Sequence, residues 1–531
     1  MNYLAILLAM PKNKISIAIA SFLWIISCSY ASTEIKLPVD VERAISKSNI
    51  PKDAISISVK KVVPQDISTK TFKSTEVVDW QEDVAMNPAS TMKLLTSLAA
   101  MEILGPQYRW KTDIFTNGKI QAETLKGDLL VRGSGDPKLI PEEINKILNN
   151  LKDFGIKKID GDLIFDRSAY DSSVKESSFS DGEMTRSYNV LPDALLFAFN
   201  SFSFQFFPSI DSQYVIIKQT PRIANLKIDN NLKVIDAPCN DWRKNISMSI
   251  NMEKNGSWLA SFDGEFPNGC HTANWNVVAS NSDDFLSQSI IAAWEDIGGR
   301  WIRKPKVKAA TMDNSFKPIV THLGVPLYES IKDINKLSNN VMARQVLLTI
   351  ALEKSGKPGN TSNGTKLVKE WLRKYQLDMP ELIIENGSGL SRIERISPKH
   401  LNQVLLLGLN SASRDYYVES LPIAGVDGTM KHRLLDKFRK YVPKRSETEA
   451  LEKNTSSLPS SIRKYGAYIK TGSLADVRSI SGYVVSRTGH TYTVTSFINH
   501  KNASSGRGIH DALLTWLLDD GPLQLSSTRT H

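Results

Sequence analysis

The chain has 531 residues, of which 41% are hydrophobic and 23% charged, and its formal net charge is +10. This length allows two to four domains, and the composition is that of a globular protein with a large core. Aromatic and basic residues are not interleaved, which argues against nucleic acid as a partner, and the positive charge suits an anionic surface such as a wall polymer or lipid headgroups.

The first thirty residues have the pattern of an export signal. Lys12 and Lys14 precede an apolar run at 15–26, and small residues follow as far as Ala31. A run of about a dozen apolar residues is too short to span a bilayer comfortably, and this order is typical of a cleaved signal peptide. We therefore predict a signal peptide at 1–31, an exported mature chain and at most loose association with a membrane.

The next segment leads into a helix that could carry chemistry. Residues 36–80 contain short alternating runs, which predict strands, and Pro88 then opens an apolar helix that should end near Gly105. Ser90 and Lys93 stand three apart at its first turn. Residues at this spacing share a helix face, so the hydroxyl and the amine could touch.

Two interpretations of this pair are open: a nucleophile beside its base, or a serine that caps a helix containing a lysine. The bare pattern decides little, because it recurs at Ser58/Lys61, Ser172/Lys175 and Ser461/Lys464. Of these pairs, only Ser90 and Lys93 open an apolar helix.

Residues 106–280 change character and are rich in aromatic and β-branched residues in short alternating segments. This pattern predicts a mostly β region of one or two small domains. Cys239 and Cys270 are the cysteines left after signal removal, and in an exported protein they are expected to form a disulfide, with two buried free thiols as the alternative. A zinc site is not expected, because His271 is the only histidine near them.

Helical patterns return after this region, and the chain then predicts a strand meander and a last helix, "HDALLTWLLDD". Thr488 and Gly489 fit the turn of a hairpin within the meander. This order predicts an α/β protein of several domains, in which 32–105 and 281–531 form one two-layer domain interrupted by 106–280.

Acyl transfer to a serine needs a nucleophile, a base that is neutral at working pH, a proton shuttle and an oxyanion hole. A lysine can be the base when burial or neighbouring cations lower its pKa. Three segments supply such groups, in this order: Ser90 with Lys93, Ser338 with Asn340 before a helix, and Lys470-Thr471-Gly472-Ser473 on a predicted edge strand.

The three motifs in this order are the signature of penicillin-recognising serine acyltransferases. About 245 residues separate Lys93 from Ser338, far more than a compact β-lactamase allows. Together with the stretches "GDLLVRGSGDPKL", "NGSGLSR" and "LPIAGVDGTMKHR", this spacing makes the chain resemble the D-alanyl-D-alanine carboxypeptidase/endopeptidases of the penicillin-binding protein 4 type (low-molecular-mass class C).

The resemblance implies a penicillin-binding/β-lactamase-like transpeptidase domain with a large β-rich insertion between the first two motifs. It implies a periplasmic hydrolase that acts on peptidoglycan stem peptides, is inhibited by β-lactams and uses no cofactor or metal. Ser90 would be the acylated nucleophile and Lys93 would take its proton. Ser338 and Asn340 would shuttle the proton and hold the substrate amide.

The resemblance also implies how the substrate is held. Lys470 lines the site and, with Thr471, would receive the terminal carboxylate of D-Ala-D-Ala. Gly472 would let the substrate backbone approach the strand closely. The backbone N–H groups of Ser90 and Ser473 would form the oxyanion hole.

A further subsite is expected for the diaminopimelate side chain of the stem peptide. Arg392 matches an arginine that helps to bind this side chain in relatives, and Asp181 or Glu183 would supply an acidic partner. Two residues depart from the pattern of relatives at this subsite. Asn386 stands where relatives often have aspartate, and Ala475 carries no amide where some relatives use glutamine.

Two other functions compete with the peptidase. A β-lactamase would need efficient deacylation, commonly from a separate carboxylate base, and no such glutamate-rich loop stands out. A non-catalytic penicillin-binding sensor or wall-binding scaffold would usually have lost one of the catalytic residues, and here all five are present.

Overall fold

The structure is a computed structural model that describes residues 37–523, apart from 67, 173, 175–188, 210, 212 and 254–255. The predicted signal peptide at 1–31 lies outside the described residues. Within them, none of the helices combines the length and the apolar character needed to cross a bilayer.

The described residues form a mixture of helices and strands, with the strands concentrated before residue 327 and after residue 465. In chain order, the helices are α1 Val39–Ser48, α2 Met92–Leu104, α3 Pro141–Asp153, α4 Ser282–Asp296, α5 Leu327–Leu337, α6 Asn340–Ser355, α7 Thr361–Lys374, α8 Pro398–Asn410, α9 Arg414–Glu419, α10 Leu435–Arg439, α11 Arg445–Thr455 and α12 Arg507–Leu518. The strands are β1 Ile55–Asp66, β2 Thr71–Trp80, β3 Arg109–Thr116, β4 Lys119–Gln121, β5 Thr124–Lys126, β6 Leu129–Gly133, β7 Lys158–Asp160, β8 Leu163–Asp166, β9 Ser201–Pro208, β10 Val215–Thr220, β11 Leu226–Ile235, β12 Ile246–Met252, β13 Trp258–Pro267, β14 Ala273–Val278, β15 Arg300–Trp301, β16 Val307–Ala309, β17 Lys317–Pro326, β18 Gly466–Leu474, β19 Val477–Val485 and β20 Thr491–Asn499.

One antiparallel sheet joins the early and late parts of the chain. Its strand order is β18-β19-β20-β1-β2, and Ile55 of β1 pairs with Ile498 of β20. The predicted hairpin forms between β19 and β20, and Gly489 has the positive φ of 83° that its turn requires. Strand β20 is buried at every position from Thr491 to Ile498, which means that both faces of the sheet are covered. Helix α8 packs against β20, and helix α12 packs against β19 of the same sheet.

A helical layer next to this sheet carries the first motif. Every residue of α2 from Met92 to Met101 is buried, so the helix is enclosed on all sides by the rest of the protein. Its core partners include α6, α7 and α8. The predicted helix is confirmed, and it ends at Leu104, just before Gly105, which has a φ of 88°.

The region between the first two motifs is β-rich, as predicted. It contains sheets of order β16-β8-β6-β3-β17, β15-β7-β5-β4, β10-β9-β14 and β11-β13-β12, with a separate hydrophobic core. Strands β15, β16 and β17, at 300–326, pair with β7, β8 and β3. The predicted division at 280 therefore places these strands on the wrong side, because their hydrogen bonds join them to the insertion.

Cys239 and Cys270 form the predicted disulfide within the insertion.

The segment before β1 begins with a helix, α1, whereas the sequence predicted only strands there. Val41 and Ile45 of α1 are buried one helical turn apart, while Asp40 lies in its first turn, which are ordinary helix signals.

Candidate active site

The first motif begins in a tight turn just before α2. Ser90 lies in the short 3₁₀ turn Ala89–Thr91, and the side chain of Asn87 accepts a hydrogen bond from the Ala89 N–H at 2.9 Å. Lys93 follows on the first turn of α2, fully buried, with its Nζ 3.0 Å from Ser90 Oγ. The expected contact between hydroxyl and amine is therefore present.

The second motif connects α5 to α6. Ser338 ends α5 in the left-handed conformation, with a φ of 61°, and the Asn339 side chain caps α6 by accepting from the Met342 N–H at 3.1 Å. Asn340 is the first residue of α6, and its Oδ1 accepts from Lys93 Nζ at 2.7 Å. The short connection between α5 and α6 thus places Asn340 of the second motif in contact with Lys93 of the first.

The third motif lies on β18, which is an edge strand of the sheet, as predicted. Lys470 is fully buried, and its Nζ donates to Ser338 Oγ at 2.8 Å and to the Thr471 carbonyl at 2.8 Å. Burial lowers the pKa of Lys470 to about 7. Thr471 is part-buried, and its hydroxyl donates to Thr429 Oγ1 at 2.8 Å. A partly charged amine and two hydroxyls thus stand at the edge of the sheet.

Burial lowers the pKa of Lys93 well below its ordinary value, and the charges of Lys470 and Arg344 lower it further. The Glu394 carboxylate acts in the opposite direction. Removing a buried ammonium charge avoids a large desolvation cost, so the neutral amine is favoured at Lys93.

The hydrogen bonds of Lys93 fit a neutral amine. Besides Ser90 Oγ, its Nζ contacts Asn340 Oδ1 and the Ser388 carbonyl at 2.5 Å. The Asn340 Oδ1 and the Ser388 carbonyl oxygen can only accept hydrogen bonds, whereas the Ser90 hydroxyl can also donate one. A neutral Lys93 therefore gives its two hydrogens to Asn340 and Ser388, and its lone pair is left for the Ser90 O–H. This is the arrangement that a general base needs.

Two glycines let neighbouring backbone lie close to Ser90. A Cβ on Gly472 would lie 2.8 Å from the Ser90 backbone nitrogen, and one on Gly389 would lie 1.8 Å from the Ala89 carbonyl oxygen. Gly389 also has a φ of 79°, which disfavours other residues. At Gly472 the close approach is that of the chain's own backbone at Ser90, and close approach of a substrate backbone stays a prediction. Ser473 is exposed on the same strand, and its N–H as an oxyanion donor stays a prediction.

A buried carboxylate that sequence reasoning missed supports the site from behind. Glu394 is fully buried, and its Oε1 accepts from the backbone N–H groups of Glu385, Asn386 and Gly387 at 3.0–3.1 Å. The next carbonyl in this turn is that of Ser388, the acceptor for Lys93. Burial raises the pKa of Glu394, and the three N–H groups oppose that rise. Glu394 lies two residues after "NGSGLSR", and this position was the sequence feature from which its role could have been predicted.

Asn386 has a structural role in the same turn. Its Oδ1 accepts from the Ser388 N–H at 2.9 Å and from the Ser388 hydroxyl at 2.6 Å, and its Nδ2 donates to the Leu390 carbonyl at 2.8 Å. An amide oxygen makes the acceptor contacts that an aspartate would make. This departure therefore shapes the turn behind Lys93.

The predicted side-chain subsite is only partly visible. Arg392 forms an exposed ion pair with Asp476 at 2.5 Å, beside the exposed Ala475. Asp181 and Glu183 lie outside the described residues. The roles of Arg392 and Asp181 stay predictions.

Comparison with known proteins gives consistent results. Residues 41–444 match the D-Ala-D-Ala carboxypeptidase 3 (S13) family. The chain is 26% identical over 428 residues to D-alanyl-D-alanine carboxypeptidase DacB of Haemophilus influenzae. The aligned region covers 80% of this chain and 82% of that protein. The chain is 23% identical over 417 residues to a D-alanyl-D-alanine carboxypeptidase of an Actinomadura species, covering 75% and 70%.

Solved structures show the same fold. Penicillin-binding protein 4 of Haemophilus influenzae superposes with a TM-score of 0.65 at 24% identity, covering 91% of this chain and 100% of that one. The same protein in complex with a β-lactam superposes with a TM-score of 0.61 at 23% identity, again covering 91% and 100%. The penicillin-binding fold with its long insertion is therefore the fold of this chain.

Proposed function

The chain belongs to the D-Ala-D-Ala carboxypeptidase 3 (S13) family and is a serine-type D-Ala-D-Ala carboxypeptidase, and we propose that Ser90 is the residue it acylates. The observation that carries the proposal is the setting of Lys93. Its amine lies 3.0 Å from Ser90 Oγ, is fully buried, and has two further partners that can only accept. A lone pair aimed at the serine hydroxyl follows from these contacts.

Acylation then proceeds in the ordinary way for a serine acyltransferase. Lys93 takes the Ser90 proton as Oγ forms a bond to the carbonyl carbon of the penultimate D-alanine. The C–N bond breaks, and the leaving D-alanine amine receives a proton by way of Ser338, whose Oγ also contacts Lys470. Water later hydrolyses the ester and regenerates Ser90. Asn340 holds Lys93 and the substrate amide.

The carboxylate of the leaving D-alanine binds at the edge of β18. Lys470 supplies a positive charge when protonated, and the hydroxyls of Thr471 and Thr429 supply hydrogen bonds. A charge-assisted contact of this kind fixes the end of the substrate and thereby places its scissile carbonyl beside Ser90. This requirement for a free terminal carboxylate distinguishes a carboxypeptidase from a general peptidase.

The natural substrates in this proposal are peptidoglycan stem peptides in the periplasm. The predicted export signal, the family and the basic net charge support this location and substrate. β-Lactams would acylate the same serine, because their strained amide and carboxylate resemble the substrate's end. The β-lactam complex of the Haemophilus influenzae penicillin-binding protein 4 supports this expectation.

Intact-mass spectrometry after incubation with benzylpenicillin tests the proposal. Wild type should gain one penicilloyl adduct that persists, and Ser90→Ala should gain none. Ser461→Ala is a matched control, since Ser461 belongs to another Ser-x-x-Lys pair outside the site and its variant should acylate like wild type.

Two outcomes would contradict the proposal. Rapid destruction of the drug without a lasting adduct would favour a β-lactamase. An adduct that persists on Ser90→Ala would place the nucleophile elsewhere.

A further inference from the structure

A cavity of about 500 Å³ lies where one part of the insertion joins the rest of the chain. Strands β9 to β14 form two sheets of their own, so residues 201–278 make up a nested module that the chain enters at 200 and leaves at 279. Segments 189–200 and 278–285, which flank these two crossings, line the cavity. None of its described lining residues belongs to a catalytic motif, so this neck cavity is separate from the active site.

The two crossings are bonded to each other. The Ala279 N–H donates to the Asn200 carbonyl at 2.9 Å, and Asn200 Nδ2 donates to the Ala279 carbonyl at 3.1 Å. Both residues also line the neck cavity. The geometry of the neck and the shape of the cavity are therefore set by the same pair.

The walls of the neck cavity are mainly apolar. Phe197 and Phe285 line it with rings whose centroids lie 5.6 Å apart, and Leu195 and further aliphatic side chains complete the lining. Asp193 is the only charged residue among the described residues that line it, and Arg167 neutralises its carboxylate at 2.8 Å. Sites for small molecules are commonly apolar cavities of about 300–1,000 Å³ with a few polar groups. The lining thus suits a small uncharged molecule.

One acceptor in this wall has no partner. Asn200 Oδ1 is buried, and none of the described residues donates a hydrogen bond to it. The nitrogen of the same amide is already bonded to the Ala279 carbonyl, which fixes the orientation of the amide. A buried acceptor without a partner is costly, and a ligand with an N–H or O–H group would satisfy it. The cavity therefore favours an apolar ligand that carries one donor.

The turn that presents Asn200 is strained. Ala198, Phe199 and Asn200 have left-handed φ values of 44°, 53° and 47°. Such conformations persist where the surroundings hold them, and they cluster at functional sites. Here the Ala198 N–H donates to the Leu139 carbonyl at 2.9 Å. A ligand bonded to Asn200 adds a second restraint on the turn.

The wall of the neck cavity also contacts α6. Val190 and Leu196 form a buried cluster with Val341, which is the second residue of that helix. One turn further along α6, the fully buried Gln345 donates from Nε2 to the Asp193 carbonyl at 2.8 Å. Packing and a hydrogen bond thus join segment 189–200 to the first two turns of α6.

The first residue of α6 belongs to the active site. Asn340 Oδ1 accepts from Lys93 Nζ at 2.7 Å, and this contact helps to direct the lone pair of Lys93 to Ser90. A ligand shifts a protein toward the arrangement that it binds best. A ligand that fits the neck cavity as it stands here should therefore favour the arrangement in which Lys93 is set for acylation.

We propose that the neck cavity is an effector site for a small, uncharged, largely apolar molecule with one hydrogen-bond donor, and that its occupation raises the rate of acylation at Ser90. The donor binds Asn200 Oδ1, and the apolar body lies between the phenylalanines and the aliphatic residues of the wall. The effect on Ser90 rests on the proposed function, whereas binding in the cavity does not.

The test uses the full chain with indole and benzofuran as probes. The two molecules have nearly the same shape, but only indole has a donor. Isothermal titration calorimetry measures the binding of each probe. Stopped-flow mixing with benzylpenicillin measures the acylation rate with and without indole.

Three variants accompany wild type. Asn200→Gly removes the acceptor, and glycine tolerates the left-handed backbone. Ser282→Trp adds bulk to the wall of the cavity and keeps the Asn281 side chain that caps α4. Gln205→Trp is the matched control, because Gln205 lies on β9 outside the cavity.

We expect indole to bind wild type at one site. The ratio of the benzofuran dissociation constant to that of indole should be about fivefold larger in wild type than in Asn200→Gly, because this comparison isolates the hydrogen bond to Asn200. Saturating indole should raise the acylation rate of wild type and of Gln205→Trp about fivefold, at the low end of allosteric coupling. Ser282→Trp should bind indole about tenfold or more weakly, and its acylation rate should not respond.

The proposal is overturned if indole shows no saturable binding, or if Ser282→Trp binds it as wild type does, since the site then lies elsewhere. An unchanged ratio in Asn200→Gly, or an acylation rate of wild type that indole leaves unchanged or lowers, would also overturn it. The indole response of wild type needs no variant, so it decides the matter even where a variant fails to fold. Failure of the proposed function looks different, because wild type would then form no penicilloyl adduct with or without indole.

Discussion

Replacing Glu394 by alanine is expected to weaken both the fold around the site and acylation at Ser90. The carboxylate oxygen accepts from three successive backbone N–H groups in a fully buried position. Each buried donor left without a partner costs about 1–3 kcal/mol. For three donors the loss in free energy of unfolding should therefore be about 3–9 kcal/mol, a large fraction of the 5–15 kcal/mol that is typical of a folded domain.

The loss of activity should come through the turn that Glu394 holds. Its Ser388 carbonyl is one of the two acceptors that orient the Lys93 amine. With that turn released, Lys93 loses the geometry that directs its lone pair to Ser90. A displacement of about 1 Å in a catalytic group can lower the rate about a hundredfold, and we expect a decrease of that order in the acylation rate.

Glu394→Gln separates hydrogen bonding from charge. The amide oxygen can still accept from the three N–H groups, so the loss of stability should be well below that of the alanine variant. The negative charge is gone, and that charge raises the pKa of Lys93. The pKa of Lys93 should therefore fall further, and acylation should persist to lower pH than in wild type.

Urea unfolding and stopped-flow acylation by benzylpenicillin, each across a range of pH, measure these effects. The reasoning is refuted if Glu394→Ala loses less than about 1 kcal/mol, since that would mean the three N–H groups find other partners. It is also refuted if Glu394→Gln shifts the acid limb of the acylation profile to higher pH.

Two further outcomes are expected. The value of kcat/KM for a D-Ala-D-Ala peptide should fall above about pH 7, as Lys470 loses its proton and its attraction for the carboxylate, and again at low pH, as Lys93 gains one. Lys470→Arg should remove the alkaline limb, and a wild-type profile without a decline above pH 7 would contradict the assignment. Replacing both Cys239 and Cys270 by alanine opens a loop of 31 residues and should cost about 3–4 kcal/mol in thermal unfolding, with penicillin acylation at 25 °C unchanged. Unaltered thermal stability would show that the disulfide does not stabilise the insertion.

The three motifs could be found from the sequence because each has a local signal. Ser90 opens an apolar helix, Asn340 begins another, and Lys470 lies in an alternating strand next to a glycine. The structure brings all three together within hydrogen-bonding distance. That proximity depends on tertiary packing, so the sequence alone supported it only through the order of the motifs and the resemblance.

The supporting contacts could not be found in the same way. Glu394 acts through backbone N–H groups seven to nine residues earlier, and a carbonyl such as that of Ser388 has no sequence signature. The boundary of the insertion was misplaced for a related reason. Strand β17 pairs with β3, some two hundred residues earlier, and periodicity carries no information about partners at such a distance.

The pairing of Ile55 with Ile498 also has a consequence for when the enzyme becomes active. Strand β1 has β2 as a near neighbour in the chain, but its other partner, β20, exists only after nearly the whole chain has been made. Strand β18, which carries Lys470, joins the sheet through β19. Contacts so distant in sequence form slowly and late in folding. A nascent or truncated chain would therefore hold Ser90 and Lys93 without the second lysine that helps to keep Lys93 neutral. Such a chain would lack one of the charges that lower the pKa of Lys93, and also the amine that is proposed to bind the substrate carboxylate.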